Sequence, residues 1–218
     1  MPRAHCPAMA SGASRGAVRE IATGEVSPCG DAVTIGLVGC AKKKLAVPAP
    51  ARQLYVGPLF VAAAAYAEAT YDHWFVLSAR HYLVHPTEML APYTEPICDF
   101  DADRRRAWAA HVECDLRCGY GKRTPGRRDW PQQRAPRLML GAWLEEGRRR
   151  GRRRHVDVYV HAGRAYADPL LERMRQLRQL RQLGTGAEWA VHLPMAGLGI
   201  GAQRRWYATR LGSAQVGA

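Results

Sequence analysis

The sequence predicts an α/β fold: a three-layer α/β/α arrangement around a central, mainly parallel sheet of about four strands. Three observations carry this. Four short apolar runs alternate with stretches of helical character. The first run, Val33 to Gly39, is apolar at nearly every position, as in a strand covered on both faces. Each run ends in a loop rich in glycine, proline or charge, the pattern of right-handed crossovers that bring all such loops to one sheet edge.

Residues 1–30 are rich in Gly, Ala, Ser and Pro without periodicity and read as a disordered tail. The single α/β domain then spans 31–211. After the strand at 33–39, the stretch 40–56 holds Pro48 and Pro50 and reads as non-helical. Gly57 as N-cap and Pro58 at the first helical position open a helix to about Thr70, with Leu59, Phe60, Ala63, Ala64 and Ala67 on one face. His73–Ser78 is the second strand, followed by a loop from Ala79 through Glu88 to Tyr93. Asp101 or Asp103 caps a third element with Trp108 and Val112 inward.

Residues 115–135 combine glycine, proline, lysine and arginine and read as a basic insertion. Pro136 starts another helix with Leu140, Trp143 and Leu144 inward, ended by the cluster Arg148–Arg154. Val156–His161 is the third strand. Asp168-Pro169 reads as an N-cap with proline at the first helical position, and Gly184 as the stop. The tripled Arg-Gln-Leu inside that helix drifts around a 3.6-residue turn and is no zipper. Glu188–Leu193 is the fourth strand. A glycine-rich turn, Pro194–Gln203, then leads into a last helix ending near Tyr207, and 212–218 form a frayed tail.

The 218 residues carry a net charge of +13, which points to a polyanionic partner, nucleic acid or nucleotide. Surface arginine of compositional origin is the competing explanation. No apolar run reaches the roughly 18 residues of a membrane span, so no membrane partner is expected. The six cysteines are scattered and no secretory leader precedes them, which suggests a reduced, cytoplasmic protein. His111, Cys114 and Cys118 are too loosely spaced for a zinc site, so no metal is expected, and no pattern names a cofactor.

The organising stretch is Gly39-Cys40-Ala41-Lys42-Lys43-Lys44, a strand end that feeds a basic loop ahead of a helix N-terminus. Ligands bind outside the carboxyl ends of such strands. Nearby lysines and a helix N-terminus favour the thiolate of Cys40, a nucleophile; a small buried strand-capping residue is the alternative. Lys42 and Lys44 suit a phosphate, against the alternative of solvated loop lysines. Glu88 beside a lysine-lined cleft suits general acid or base work. Ser78, Arg80 and His81 lie on the second post-strand loop as ligand contacts. Gly197, Gly199 and Gly201 form a wall, with Gln203 facing in.

Taken together, Gly39-Cys40-x-Lys42-x-Lys44, Leu54-Tyr55-x-x-Pro58-Leu59-Phe60, Trp74-Phe75-x-Leu77-Ser78-Ala79, Pro92-Tyr93 and Pro194-x-x-Gly197-Leu198-Gly199-Ile200-Gly201-x-Gln203 resemble a bacterial and phage family, domain of unknown function 6884, over about residues 34–208. The resemblance adds Tyr55 and Tyr93 to the expected ligand-binding set. A weaker similarity reaches the catalytic core of archaeosine synthase, whose Cys-x-x-x-Lys is matched by Cys40 and Lys44; Gly39 stands where that family has proline, and its Ser-x-x-His segment has no counterpart. That similarity implies chemistry on a 7-deazaguanine base of tRNA. Bacterial peroxide-stress proteins look similar in the same loop and imply nucleic-acid binding without base modification.

Two functions are therefore expected as alternatives. One is a nucleobase- or nucleotide-handling enzyme of nucleic-acid modification, with Cys40, Lys44 and Glu88 as catalytic residues. The other is a non-enzymatic nucleic-acid-binding protein that uses its arginine-rich surface.

Overall fold

Val33–Gly39 lies at the centre of a five-stranded sheet in the computed structural model, which describes residues 18–21, 25–28, 30–118, 137–138, 140–179 and 187–215. In chain order the elements are β1 (Val18–Ile21), β2 (Glu25–Pro28), β3 (Ala32–Gly39), β4 (Ala49–Pro50), α1 (Ala51–Leu54), α2 (Pro58–Thr70), β5 (His73–Ser78), β6 (Tyr82–Val84) and β7 (Met89–Leu90). They continue with α3 (Ala102–Cys118), β8 (Arg137–Leu138), α4 (Leu140–Arg149), β9 (Arg154–His161), α5 (Arg164–Gln179), β10 (Ala187–His192) and α6 (Ile200–Gln215).

The sheet order is β10-β9-β3-β5-β6. β10, β9, β3 and β5 run parallel, and β6 returns antiparallel on β5. The fold is thus mixed α/β with a mostly parallel sheet. Successive residues of β3 supply different side-chain clusters. Val33, Ile35 and Leu37 join one with Phe75, Leu77, Val156, Val158 and Val160, together with Trp108, Val112, Leu140, Trp143, Leu170 and Met174 from α3, α4 and α5. Val38 joins a second with Trp74 and Val76, together with Leu54, Phe60, Ala63, Ala64, Ala67 and Tyr207 from α1, α2 and α6. Each large apolar side chain so buried contributes about 1.5–3 kcal/mol.

The chain moves from β3 to β5 and β6 on one side, then returns to place β9 and β10 on the other. The strand order reverses between β3 and β9. Their carboxyl ends lie side by side, with Val38 opposite His161. Ligands of open parallel sheets bind at such a switch point.

Several expectations need correction. The loop expected from Ala79 contains β6, reached by a tight turn in which Tyr82 takes φ +58°. A three-residue strand after a turn without glycine has neither periodicity nor turn chemistry to announce it. α1 is a single turn directly after Pro50, inside the stretch expected to be non-helical. The region expected as an N-terminal tail contains β1 and β2, which pair with each other, β2 also pairing with β8; four-residue strands are too short to stand out from the surrounding small residues.

Helix boundaries moved where a conspicuous residue misled. α4 begins at Leu140, not Pro136. α5 begins at Arg164, and Pro169 lies within it. The Gly163 carbonyl accepts the Ala167 N–H at 3.1 Å, so Gly163 holds the N-cap position. A glycine cap has no side chain to advertise it, whereas Asp168-Pro169 does. α6 extends to Gln215, beyond Tyr207 and into the expected frayed tail. Asp101, not Asp103, caps α3, its carboxylate accepting the Arg104 N–H at 2.7 Å. Of the basic insertion expected at 115–135, residues 115–118 complete α3 and the rest lies outside the described residues, as does Gly184.

Candidate active site

Cys40 stands one residue beyond β3, held by its N–H to the Leu77 carbonyl at 2.9 Å. It borders a cavity of about 140 Å³ at the switch point. The apolar wall is Leu59, Phe60 and Ala63 from α2; the opposite side is His161, Ala162, Gly163 and Tyr166; Gln203 and Tyr207 from α6 complete the lining. Glycine at position 39 is required by close approach: a Cβ there would stand 2.9 Å from that of Ala162.

Two phenols reach the cysteine sulfur. Tyr166 Oη lies 3.0 Å from Sγ, and Tyr93 Oη donates to Sγ at 3.5 Å. Tyr93 Oη also lies 2.8 Å from Ser78 Oγ and 2.9 Å from Tyr55 Oη. Ser78 Oγ in turn accepts the His81 N–H at 2.9 Å. With Tyr93 donating to sulfur, donor accounting sets the rest of this chain. Tyr93 has one proton, which goes to sulfur, so its oxygen accepts from Ser78 and Tyr55. Burial pushes the Tyr55, Tyr93 and Tyr166 hydroxyls well above the ordinary phenol range, so all three keep their protons and serve as donors.

Lys44 Nζ sits 4.2 Å from the centre of the Tyr93 ring, in a cation–π contact. Burial lowers its pKa, an effect partly opposed by the neighbouring Cys40. Lys44, Tyr55, Ser78, His81 and Tyr93 therefore gather around Cys40, with the His81 ring edge-on to Tyr93 at 5.2 Å. Gln203 joins through the cavity wall, its amide nitrogen donating to the Leu198 carbonyl at 2.7 Å.

Of the expected site residues only Cys40 and Gln203 line this cavity; Lys44, Tyr55, Ser78, His81 and Tyr93 lie outside its lining. Lys42 and Arg80 are exposed. Glu88 lies near Tyr55, and its carbonyl accepts the Ala51 N–H at 2.8 Å. Gly197, with φ +75°, Gly199 and Gly201 serve the turn and start of α6, and from that element it is Gln203 and Tyr207 that reach the cavity.

The arginine cluster is largely paired. Arg148 and Arg149 engage Glu145, Arg150 engages Glu146, and Arg152 engages Asp31. Arg154 is buried, pairs with Asp31 and lies over the Trp143 ring. His111 packs on Tyr82 at 4.6 Å, and among the described residues no group of three or more His, Cys, Asp or Glu side chains is placed to hold a metal. Among them, too, no helix is long and apolar enough to cross a membrane.

Sequence reasoning missed Tyr166, His161, Tyr207 and Tyr71. The His161 ring lies between two phenols, with Nε2 2.6 Å from Tyr71 Oη and Nδ1 2.8 Å from Tyr207 Oη. Burial pushes its pKa down to about 4, and that of His85 likewise. An unfolded histidine takes up its proton near 6.5, the buried ring only near 4, so the unfolded chain binds more protons in that window. Stability is therefore full above pH 6.5 and falls as pH drops toward 4. His161 alone accounts for about 3 kcal/mol of that loss. Urea unfolding across this range should show the decline, and His161→Gln should flatten its slope; an unchanged slope would mean that the ring is not held neutral.

No curated protein and no solved structure matches the chain. The resemblance carried by the motifs around Cys40, Lys44, Ser78 and Tyr93 is borne out for this stretch: residues 35–125 match the family of unknown function DUF6884.

Proposed function

We propose that this cavity is the active site of a nucleotide-handling enzyme of nucleic-acid modification, with Cys40 as its nucleophile. The observation that carries the reading is the convergent donor chain: two buried phenols directed at one sulfur that borders a cavity. These contacts hold the Cys40 sulfur at the cavity edge, placed to attack an electrophilic carbon. The phenols keep their protons and act by hydrogen bonding, and Lys44 adds positive charge beside them. In a reduced cytoplasm the thiol stays available. The two side-chain clusters support the three-layer α/β/α reading, which places this cavity between helices on either face.

The substrate class follows from what surrounds the sulfur. The cavity holds a ring-sized group against Leu59 and Phe60, while the remainder of a nucleotide would lie in its mouth. First turns of α2, α5 and α6 contribute lining residues, and helix N-termini favour anions. Gly57 gives α2 no side-chain cap. Lys42, Lys43, Arg164 and Arg204 are exposed and, among the described residues, form no ion pair.

Alkylation by iodoacetamide, followed at each cysteine by peptide mass spectrometry, tests this reading. The four ribonucleoside 5′-monophosphates and inorganic phosphate serve as probes, with exposed Cys98 as internal control. At least one nucleotide should slow Cys40 about tenfold, phosphate less, and Cys98 not at all. Lys44→Ala should weaken that protection. Equal rates at Cys40 with and without every nucleotide would remove the nucleotide site.

A further inference from the structure

His161 ends β9 at the cavity, and its two ring nitrogens are each committed to a phenol. A neutral imidazole carries one N–H, so one tyrosine must donate to the ring while the other accepts from it. Two arrangements satisfy the same geometry. In the first, Tyr71 donates to Nε2, Nδ1–H donates to Tyr207, and the Tyr207 proton is free. In the second, Tyr207 donates to Nδ1 and Nε2–H donates to Tyr71. Tyr207 and His161 border the cavity, whereas Tyr71 is half-buried and does not line it.

From this geometry we infer that Tyr71, His161 and Tyr207 form a proton relay into the cavity, with Tyr207 as the group that exchanges a proton with substrate and His161 as the residue that sets its direction. The inference rests on the reading of the cavity as an active site. Starting from the first arrangement, Tyr207 gives its proton to a substrate atom and receives the Nδ1 proton. Nε2 takes the Tyr71 proton, and Tyr71 takes one from water. One proton leaves water, one arrives on substrate, and the ring ends as the other tautomer. Reversal removes a proton from substrate.

Local packing supports a placed ring rather than a space-filling one. Tyr66 and Trp206 surround it at 5.5 and 6.0 Å between ring centres. Gly36 leaves the room that Tyr71 occupies: a Cβ at that position would fall 2.3 Å from the Tyr71 ring. Burial holds the imidazole neutral through the physiological range, which keeps both tautomers accessible.

Nitrogen-15 NMR of histidine-labelled protein tests the relay without reference to turnover, with His161 assigned by its loss in His161→Asn. Both ring nitrogens should show shifts intermediate between protonated and bare. Tyr71→Phe should drive the ring to Nδ1–H and Tyr207→Phe to Nε2–H, because the remaining phenol then accepts the single N–H. Carboxymethylation of Cys40 with iodoacetate sets a carboxylate in the cavity, which should draw the Tyr207 proton and shift the intact protein toward Nδ1–H. Cys40→Ala treated with iodoacetate should show no shift. The same single tautomer in the intact protein and both tyrosine variants would overturn the relay, and so would a carboxymethylated protein with an unmoved tautomer balance. Failure of iodoacetate to label Cys40 would instead count against Cys40 as the nucleophile, while the variants still decide the relay.

Discussion

Removing both phenol hydroxyls from Cys40, in Tyr93→Phe/Tyr166→Phe, should slow its alkylation at pH 7 by about 10- to 100-fold. A hydrogen bond to a charged group is worth about 1.5–3 kcal/mol, and part of that is forfeited when a donor to the reacting sulfur is removed. Each single variant should therefore lose about three- to tenfold. Tyr93→Phe has a second consequence: Ser78 and Tyr55 lose the oxygen they donate to, at a stability cost of about 1–3 kcal/mol. Tyr166→Phe leaves that side of the network intact. Comparing the two variants at matched folded fraction separates the sulfur's environment from general loosening. Cys40→Ser should retain nucleotide binding and lose turnover. An unchanged alkylation rate in the double variant would mean that the hydroxyls merely fill space beside a packed thiol.

The parts of this site legible in the sequence were those with local signals. β5 and α2 have the predicted bounds, because apolar runs and the Gly57-Pro58 start are signals within a few residues. Cys40 could be placed at the sheet edge because a strand must end where its apolar run meets three lysines. Tyr166 could not be found that way: its bond to Cys40 spans 126 positions, and a tyrosine in a first helical turn looks like any other. His161 and Tyr207 are 46 positions apart and meet only because β9 and α6 come together beside β3. The pairing within the arginine cluster is legible in the sequence, since Glu145 and Glu146 stand three or four residues before the arginines they bind. Glycine turns mark close approach, which makes Gly197, Gly199 and Gly201 look like a cavity wall; in the fold they lie at the turn and start of α6, and Gln203 and Tyr207 from that helix line the cavity.

Trp108→Ala should be the most destabilising change in the first side-chain cluster, at about 3–5 kcal/mol, and it should disable the site as well. The indole is 1% exposed, and its Nε1–H donates to the Ser78 carbonyl at 2.8 Å. Its ring meets Tyr166 edge to face at 5.3 Å. Trp108 thus supports both donor routes to Cys40: one through Ser78 and Tyr93, the other through Tyr166. Trp108→Phe keeps much of the packing but removes the N–H and leaves a buried carbonyl without that donor. It should cost about 1–3 kcal/mol and still slow Cys40 alkylation. Trp143→Phe is the matched control. That indole belongs to the same cluster and donates to the Gly30 carbonyl at 3.2 Å, with Arg154 lying over its ring, away from the sulfur. It should lose less stability in urea unfolding, because the exposed Gly30 carbonyl also accepts from Arg154, and it should leave Cys40 alkylation as it is. If Trp108→Phe and Trp143→Phe slow Cys40 equally, the site responds to overall stability, and Trp108 has no specific part in aiming hydrogen bonds at the sulfur.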